Sequence, residues 1–275
     1  MYIGGATTGA LPGQASAGGS DAYVVKLAED NLGPITSNVV ATPNPVAVNN
    51  LVTQTATVDD STTGGSNIDS AEYNIAAGSF SPMVASDSVF DEVSEDVTAT
   101  VPAFSDPGLN TICVRGTDAG GNVGNAECIV LAVYDPAAGF VTGGGRVNSP
   151  AGADLDNPSA AGPANFGFVS KYLPGRTTPS GNLEFQFKAG NLNFKSTIMD
   201  WLVVTGEPRA QFMGEGTING ATLCKFQVDA WDGSFSGSGA DAFGLKIFAC
   251  GPGSTGRYSL DATPLTNGSI IIHRR

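Results

Sequence analysis

The sequence predicts an all-β protein built as two β-sandwiches in succession, the second larger than the first. Apolar and polar residues alternate with period two in many short runs, and no stretch shows a helical period of useful length. Turn formers punctuate these runs: Gly 37 and Pro 16 are spread along all 275 residues instead of forming one low-complexity block. Hydrophobic residues reach 41%, enough for a core, which excludes collagen and wholesale disorder.

Charge divides the chain. Residues 1–136 carry 16 acids and 2 bases, whereas 137–275 carry 10 acids and 11 bases. Aromatics divide too, with 11 of the 14 Phe and both Trp after residue 136. One boundary is expected at Tyr134-Asp-Pro-Ala-Ala-Gly139, where an apolar strand ends in Pro and small residues, and a second near Asp30-Asn-Leu-Gly-Pro34. Three segments result: an arm over 1–33, a first sandwich over 34–136 and a second over 137–275.

The arm is rich in Gly, Ala and Ser until Ala22-Tyr-Val-Val-Lys-Leu27, which reads as a single strand too short to bury a core of its own. Its alternating face, Tyr23, Val25 and Leu27, has no evident strand to join. Three outcomes are open: the strand folds back onto its own chain, adds to the edge of a neighbouring copy to build a filament, or belongs to a disordered arm. Met1 is followed by Tyr2-Ile3-Gly4-Gly5, with neither a basic n-region nor an apolar h-region. The expectation is that a leader has been removed or that the chain is a piece of a longer one.

Residues 34–136 hold Val52-Thr-Gln-Thr-Ala-Thr-Val58, Ala71-Glu-Tyr-Asn-Ile75, Val97-Thr-Ala-Thr-Val101, Thr111-Ile-Cys-Val-Arg115 and Cys128 to Val133, separated by turn clusters such as Asp59-Asp-Ser-Thr-Thr-Gly-Gly65. Five to seven strands at this spacing read as an immunoglobulin-like sandwich. Residues 137–275 offer about ten candidate strands, among them Leu183-Glu-Phe-Gln-Phe-Lys188, Leu192-Asn-Phe194 and Ser269-Ile-Ile-Ile-His273. Asn219-Gly220 and Asn267-Gly268 are tight-turn signals, and Gly143-Gly144-Gly145, lacking a following Lys-Ser/Thr, reads as a turn or bulge. A sandwich or jelly roll fits this segment.

Three resemblances sharpen this division. Gly9-Ala-Leu-Pro-Gly-Gln-Ala-Ser-Ala-Gly-Gly-Ser-Asp-Ala-Tyr-Val-Val-Lys-Leu27 resembles the bacterial SBBP repeat, a unit of β-propellers, and a single copy implies further repeats N-terminal to Met1. Arg115-Gly-Thr-Asp-Ala-Gly-Gly-Asn122 resembles the final hairpin of bacterial Ig-like domains from large surface proteins. Gly139-Phe-Val-Thr-Gly-Gly-Gly145, Ala164-Asn-Phe-Gly-Phe-Val-Ser-Lys171, Leu183 to Phe194 and Trp201-Leu-Val-Val-Thr-Gly206 together resemble the post-COAP-1 module of secreted bacterial proteins. The last resemblance implies an extracellular address and no activity.

Composition narrows the function. The net charge of -13 makes nucleic acid an unfavourable partner, and no apolar run approaches the ~20 residues of a membrane-spanning helix. Histidine occurs once, as His273, so a mechanism needing an internal His base or a multi-His metal site has no candidate. The four cysteines form no Cys-x-x-Cys pair, which disfavours zinc. A hairpin turn centred between Gly120 and Gly121 places Cys113 opposite Cys128, and Cys224 and Cys250 lie on strands flanking Asp232 to Asp241. Two disulfides, Cys113–Cys128 and Cys224–Cys250, are expected and imply export to a secreted or cell-surface location; buried free thiols are the alternative.

The acids offer two chemistries. In an immunoglobulin-like topology the loop holding Asp59, Asp60 and Asp69 shares one end of the sandwich with the turn holding Asp118 and Asn122, a set of hard oxygen ligands suited to Ca²⁺. Ordinary turn-forming Asp and Asn are the alternative. Asp232 with Asp241, or Glu184 with Glu215, could be read as carboxylate pairs for glycoside hydrolysis, although an alternating strand more simply explains each Glu as a solvent-facing position. Trp201 reads as core, and Trp231, at a strand end, is the candidate for stacking on a sugar or else a lid on the core. Two functions follow: a non-catalytic structural or adhesive module, joined to other modules of its parent chain or to copies of itself, and a carbohydrate-binding accessory module whose partner is a polysaccharide.

Overall fold

Successive side chains of a strand point to opposite faces, and residues 35–134 use this to bury one face of each strand. In the computed structural model, which describes residues 2–8, 19–26, 29–205, 208–236, 239–251, 254 and 256–273, the strands β3 (Ile35–Thr42), β5 (Val52–Asp59), β9 (Ser94–Val101) and β8 (Val84–Ala85) form one sheet in that order. The second sheet runs β4 (Val46–Ala47), β11 (Glu127–Tyr134), β10 (Gly108–Asp118), β6 (Ile68–Ile75) and β7 (Ser81–Pro82). This is the immunoglobulin-like arrangement. Thr42-Pro43-Asn44-Pro45 ends β3, since proline cannot donate to a ladder, and the chain re-emerges as β4, which pairs in parallel with Val133 and Tyr134. On the opposite flank the chain passes from β7 to β8 through Met83 alone, whose N–H donates to the Ala71 carbonyl at 2.8 Å.

Burial follows the period. On β5 the inward row is Val52, Gln54, Ala56 and Val58, and on β10 it is Ile112, Val114, Gly116 and Asp118. Gly116 is required because a Cβ there would collide with Val58.

All nine described strands of the third segment belong to one antiparallel sheet. They are β12 (Phe140–Ser149), β13 (Gly162–Lys171), β14 (Ser180–Phe187), β15 (Leu192–Val204), β16 (Arg209–Ile218), β17 (Thr222–Trp231), β18 (Ala242–Phe248), β19 (Tyr258–Pro264) and β20 (Asn267–His273). Consecutive strands are neighbours from β12 to β19, and β20 returns to lie beside β12. The sheet folds over as the layers of a sandwich do, without the Greek-key connections of a jelly roll. Phe166 of β13 stacks on Phe243 of β18 with centroids 3.9 Å apart, and Phe185 of β14 meets Tyr258 of β19 at 5.0 Å. The concentration of Phe after residue 136 is the material of this core.

Two turn readings are corrected by the sheet, and two separate runs are joined into one strand. Gly143-Gly144-Gly145 lies inside β12, paired on both sides; a Cβ on Gly143 would sit 2.5 Å from the Phe168 ring. Asn267-Gly268 opens β20 opposite Arg146 and Gly145 instead of turning: Leu265 and Thr266 separate β19 from β20, and the alternating antiparallel order gives those two strands the same sense, so no hairpin falls there. Leu192–Phe194 and Trp201–Val204 belong to one strand, β15, interrupted by two bulges. Asn219 and Gly220 do turn, with φ of 52° and 74°.

The chain divides into two units, one comprising Met1–Val40, Thr55–Ala99 and Ile112–Ile129, the other Ala41–Gln54, Thr100–Thr111 and Val130–Arg275. Apolar contacts explain why the second unit reaches back past residue 137: Ala132 packs with Trp201 and Val203, and Tyr134 stacks on Tyr172 at 4.8 Å. Ahead of both sandwiches, β1 (Tyr2–Thr7) and β2 (Asp21–Lys26) form a separate antiparallel two-stranded sheet, with Gly5 opposite Tyr23. The expected lone strand is therefore paired, and its partner is the stretch right after Met1. A Cβ on Gly5 would sit 2.7 Å from the Tyr23 ring, so glycine makes room for the aromatic.

Candidate functional site

The inward row of β5 continues one step beyond Val58 to Asp60, and the inward row of β10 ends on Asp118. Both rows run out at the same end of the immunoglobulin-like sandwich, so period two delivers two carboxylates inward where the apolar core stops. Asp30, just ahead of β3, completes the group: one carboxylate oxygen from each of Asp30, Asp60 and Asp118 lies within 4.8 Å of the others. Asp60 and Asp118 are fully buried and Asp30 is half-buried.

Hydrogen bonds fix these side chains. Asp60 accepts from Thr63 Oγ1 at 2.5 Å and from the Ser66 N–H at 2.7 Å. Asp118 accepts from the Asn122 N–H at 2.8 Å and from Asn122 Nδ2 at 2.9 Å, and Asn122 Nδ2 also reaches the Asp30 carbonyl at 3.3 Å. Ser66 Oγ donates to the Asp30 carboxylate. Gly64 leaves room for the Asp30 carboxylate, which a Cβ there would displace. Burial pushes Asp118 up, but hydrogen bonds from the Asn122 side chain and backbone and from the Gly120 and Gly121 N–H groups outweigh it and hold the carboxyl below its ordinary value.

Among the described residues no ion pair reaches Asp30, Asp60 or Asp118. Residues 1–136 contain only two basic side chains, Lys26 and Arg115, and Arg115 is engaged by Glu72 at 2.6 Å. Burying like charges without a counter-charge is costly, and three convergent carboxylate oxygens are what a hard divalent cation coordinates.

Of the five predicted ligands, the structure brings Asp60, Asp118 and Asn122 together and leaves two out. Asp59 is adjacent to Asp60 and so points the other way; its carboxylate accepts the Ser61 N–H at 2.8 Å, and hydrogen bonds from Ser61 hold it below its ordinary value. Asp69 is on an outward position of β6 and exposed. Asp30 lies at the boundary that the sequence marks near Asp30-Asn-Leu-Gly-Pro34, where no local pattern singles it out, yet antiparallel pairing puts the start of the first strand at the same end as the close of the next.

Both expected disulfides are present, Cys113–Cys128 and Cys224–Cys250. Three of the four carboxylates weighed for glycoside hydrolysis, Asp232, Asp241 and Glu184, have other partners. Asp232 accepts the Ile272 N–H at 2.9 Å and Asp241 accepts those of Ile270 and Gly233, each at 2.8 Å, so the two acids clasp the outer edge of β20. Glu184 pairs with Lys195 at 3.1 Å. Trp231 is half-buried and the Arg209 guanidinium carbon lies 5.2 Å from its ring centroid. Trp201 is core, 5% exposed. Of the assembly residues, Tyr23 is half-buried in β2, Val25 stands opposite Ile3, and Leu27 lies outside the described residues, as does most of the SBBP-like stretch.

No family model and no curated protein matches the sequence. Among solved structures, the cycloalternan-forming enzyme of Listeria monocytogenes in complex with a pentasaccharide aligns at 9% identity and a TM-score of 0.28 over 76% of this chain and 21% of that one. The uncharacterized protein lmo2446 of the same organism aligns at 9% identity and a TM-score of 0.27, again over 21% of its length. The chain thus spans about a fifth of each, and likeness at this level assigns no role.

Proposed function

We propose that this chain is a non-catalytic structural or adhesive stretch of an exported bacterial surface protein, whose immunoglobulin-like sandwich is tied at one end by calcium and whose N-terminal strand joins copies of the chain. The observation that carries the reading is the convergence of Asp30, Asp60 and Asp118, two of them fully buried, with no basic partner among the described residues. Calcium would be held by these three carboxylates, with Asn122, Thr63 and Ser66 orienting them, and would replace repulsion by coordination. Two disulfides support export to an oxidising compartment. The engagement of Asp232, Asp241 and Glu184 supports a structural over a hydrolytic role. Stacking of a polysaccharide on Trp231 is less favoured, since the Arg209 guanidinium already lies over that ring.

Thermal melting with calcium and with chelator tests the site. With ~10⁻⁴–10⁻³ M affinity, about 10 mM Ca²⁺ adds about 1.4–2.7 kcal/mol by mass action, a rise of roughly 6–20 °C for a sandwich of ~100 residues. Identical melts in both buffers contradict the reading.

A further inference from the structure

The outer face of the nine-stranded sheet carries a groove that core packing does not explain. Cross-strand register sets Trp201, Met213, Gln227 and Lys246 in one row over β15 to β18, and Gln211, Asp229 and Gly244 in the next. The residues between these rows, Leu202, Phe212, Val228 and Leu245, face the Phe-rich core instead. Two cavities lie along the outer rows and share Gln227. One, of about 610 Å³, is lined by Trp201, Met213 and Phe248 and edged by Val130 and Ile198, which are 52% and 55% exposed. The other, of about 250 Å³, lies where Gly244 puts no side chain opposite Asp229.

Gln211 lines the smaller cavity and is only 8% exposed, yet among the described residues its amide has no hydrogen-bond partner. A buried amide normally finds a partner, and leaving it without one is costly. Gln227, its diagonal neighbour across the β16–β17 ladder, is half-buried and likewise has none among the described residues. Arg209 and Asp229, by contrast, satisfy each other through two bonds of 2.8 Å. An amide offers a carbonyl that accepts and an NH2 that donates, and a hydroxyl answers both with one atom.

Charge disfavours an ionic ligand. Over the two cavities Asp200, Asp229 and Asp261 are balanced by Arg209, Lys225 and Lys246, so the lining draws neither an anion nor a cation. A ligand that brings hydroxyls to the amides and apolar C–H faces to Trp201, Met213 and Phe248 is a sugar ring. Cavities that meet at Gln227 take successive rings of one chain.

We infer that this groove binds a neutral oligosaccharide, a stretch of an uncharged polysaccharide, with Gln211 and Gln227 bonding its hydroxyls. The inference rests on the reading of the chain as adhesive and adds the class of ligand. No residue of the calcium site or of β1–β2 lines either cavity, so the groove and the calcium site can fail separately.

Isothermal titration of the full chain with neutral pentasaccharides of glucose, mannose, galactose and N-acetylglucosamine tests it, with a galacturonic acid pentasaccharide as the charged control. At least one neutral pentasaccharide is expected to bind saturably and more tightly than the uronate, in calcium and in chelator alike. Gln211→Leu and Gln227→Ala should each weaken that binding roughly 3–10-fold, the loss of about one neutral hydrogen bond, while Glu184→Ala, outside both cavities, leaves it unchanged. Without sugar, Gln211→Leu should melt no lower than wild type, because an apolar side chain of similar size replaces an unpartnered amide. Should it melt lower, Gln227→Ala, at a half-buried position, decides in its place. Absence of binding by every neutral pentasaccharide, or binding of the uronate as tight or tighter, overturns the groove whatever the calcium melts show. Full affinity in Gln211→Leu and Gln227→Ala, with binding lost in Trp231→Ala, moves the sugar to the end of β17 and overturns it too.

Discussion

Asp232→Ala should loosen the seam where the nine-stranded sheet meets its own last strand. β20 pairs with β12 on one side only, and the N–H groups of Ile270 and Ile272 on its other side are taken by carboxylates. Asp232 is 3% exposed and also accepts the Ser234 N–H at 3.1 Å and Ser234 Oγ at 2.6 Å. Truncation leaves two backbone donors without a charged acceptor. At about 1–3 kcal/mol for each unsatisfied donor, the loss should be roughly 2–6 kcal/mol, which at ~2–4 °C per kcal/mol lowers the melting of this sheet by roughly 4–24 °C. Asp232→Asn, keeping one acceptor oxygen, should fall between, and Glu184→Ala, removing an exposed ion pair, should change stability by under ~0.5 kcal/mol. Calorimetry reads the stability, and amide hydrogen exchange at Ile272 reads the seam itself. A stability change under ~0.5 kcal/mol for Asp232→Ala, with unchanged exchange at Ile272, would refute the clasp.

Two further outcomes follow from the first sandwich. Replacing both Cys113 and Cys128 by Ser should cost ~3 kcal/mol, given a sequence separation of 15, and non-reducing peptide mapping should find neither free thiols nor pairing with Cys224 or Cys250. Because Asp118 is held below its ordinary value of 3.8, its contribution is complete above about pH 4 and is lost as pH falls through the lower folded value; Asp118→Asn should therefore flatten the acid limb of the stability profile in a calcium-free titration.

The sandwich strands were legible because they obey period two. The runs beginning at Val52, Ala71, Val97, Thr111 and Cys128 each lie within an observed strand. β3 was harder, since Ser37-Asn38 interrupts its apolar pattern and Asn38 takes a φ of 52°. The glycine turn readings failed for one reason: glycine also serves where another chain passes too close for a Cβ, as at Gly143 under Phe168 and Gly268 beside Gly144. Two of the three carboxylates are legible because Asp60 and Asp118 sit at the ends of inward rows, and the same row test, applied to Asp59, excludes it. Asp30 depends on long-range pairing that no local pattern encodes, and so does the clasp of Asp232 and Asp241 on a strand some 30–40 residues downstream.

Isothermal titration of calcium into the chelator-treated full chain addresses the central claim most directly. The account predicts saturable binding of one ion per chain in the ~10⁻⁴–10⁻³ M range, abolished in Asp60→Asn and in Gly64→Ala, whose Cβ displaces the Asp30 carboxylate, and retained in Asp59→Asn and Asp69→Asn. Absence of heat above dilution, or binding that survives Asp60→Asn and Gly64→Ala alike, would contradict it.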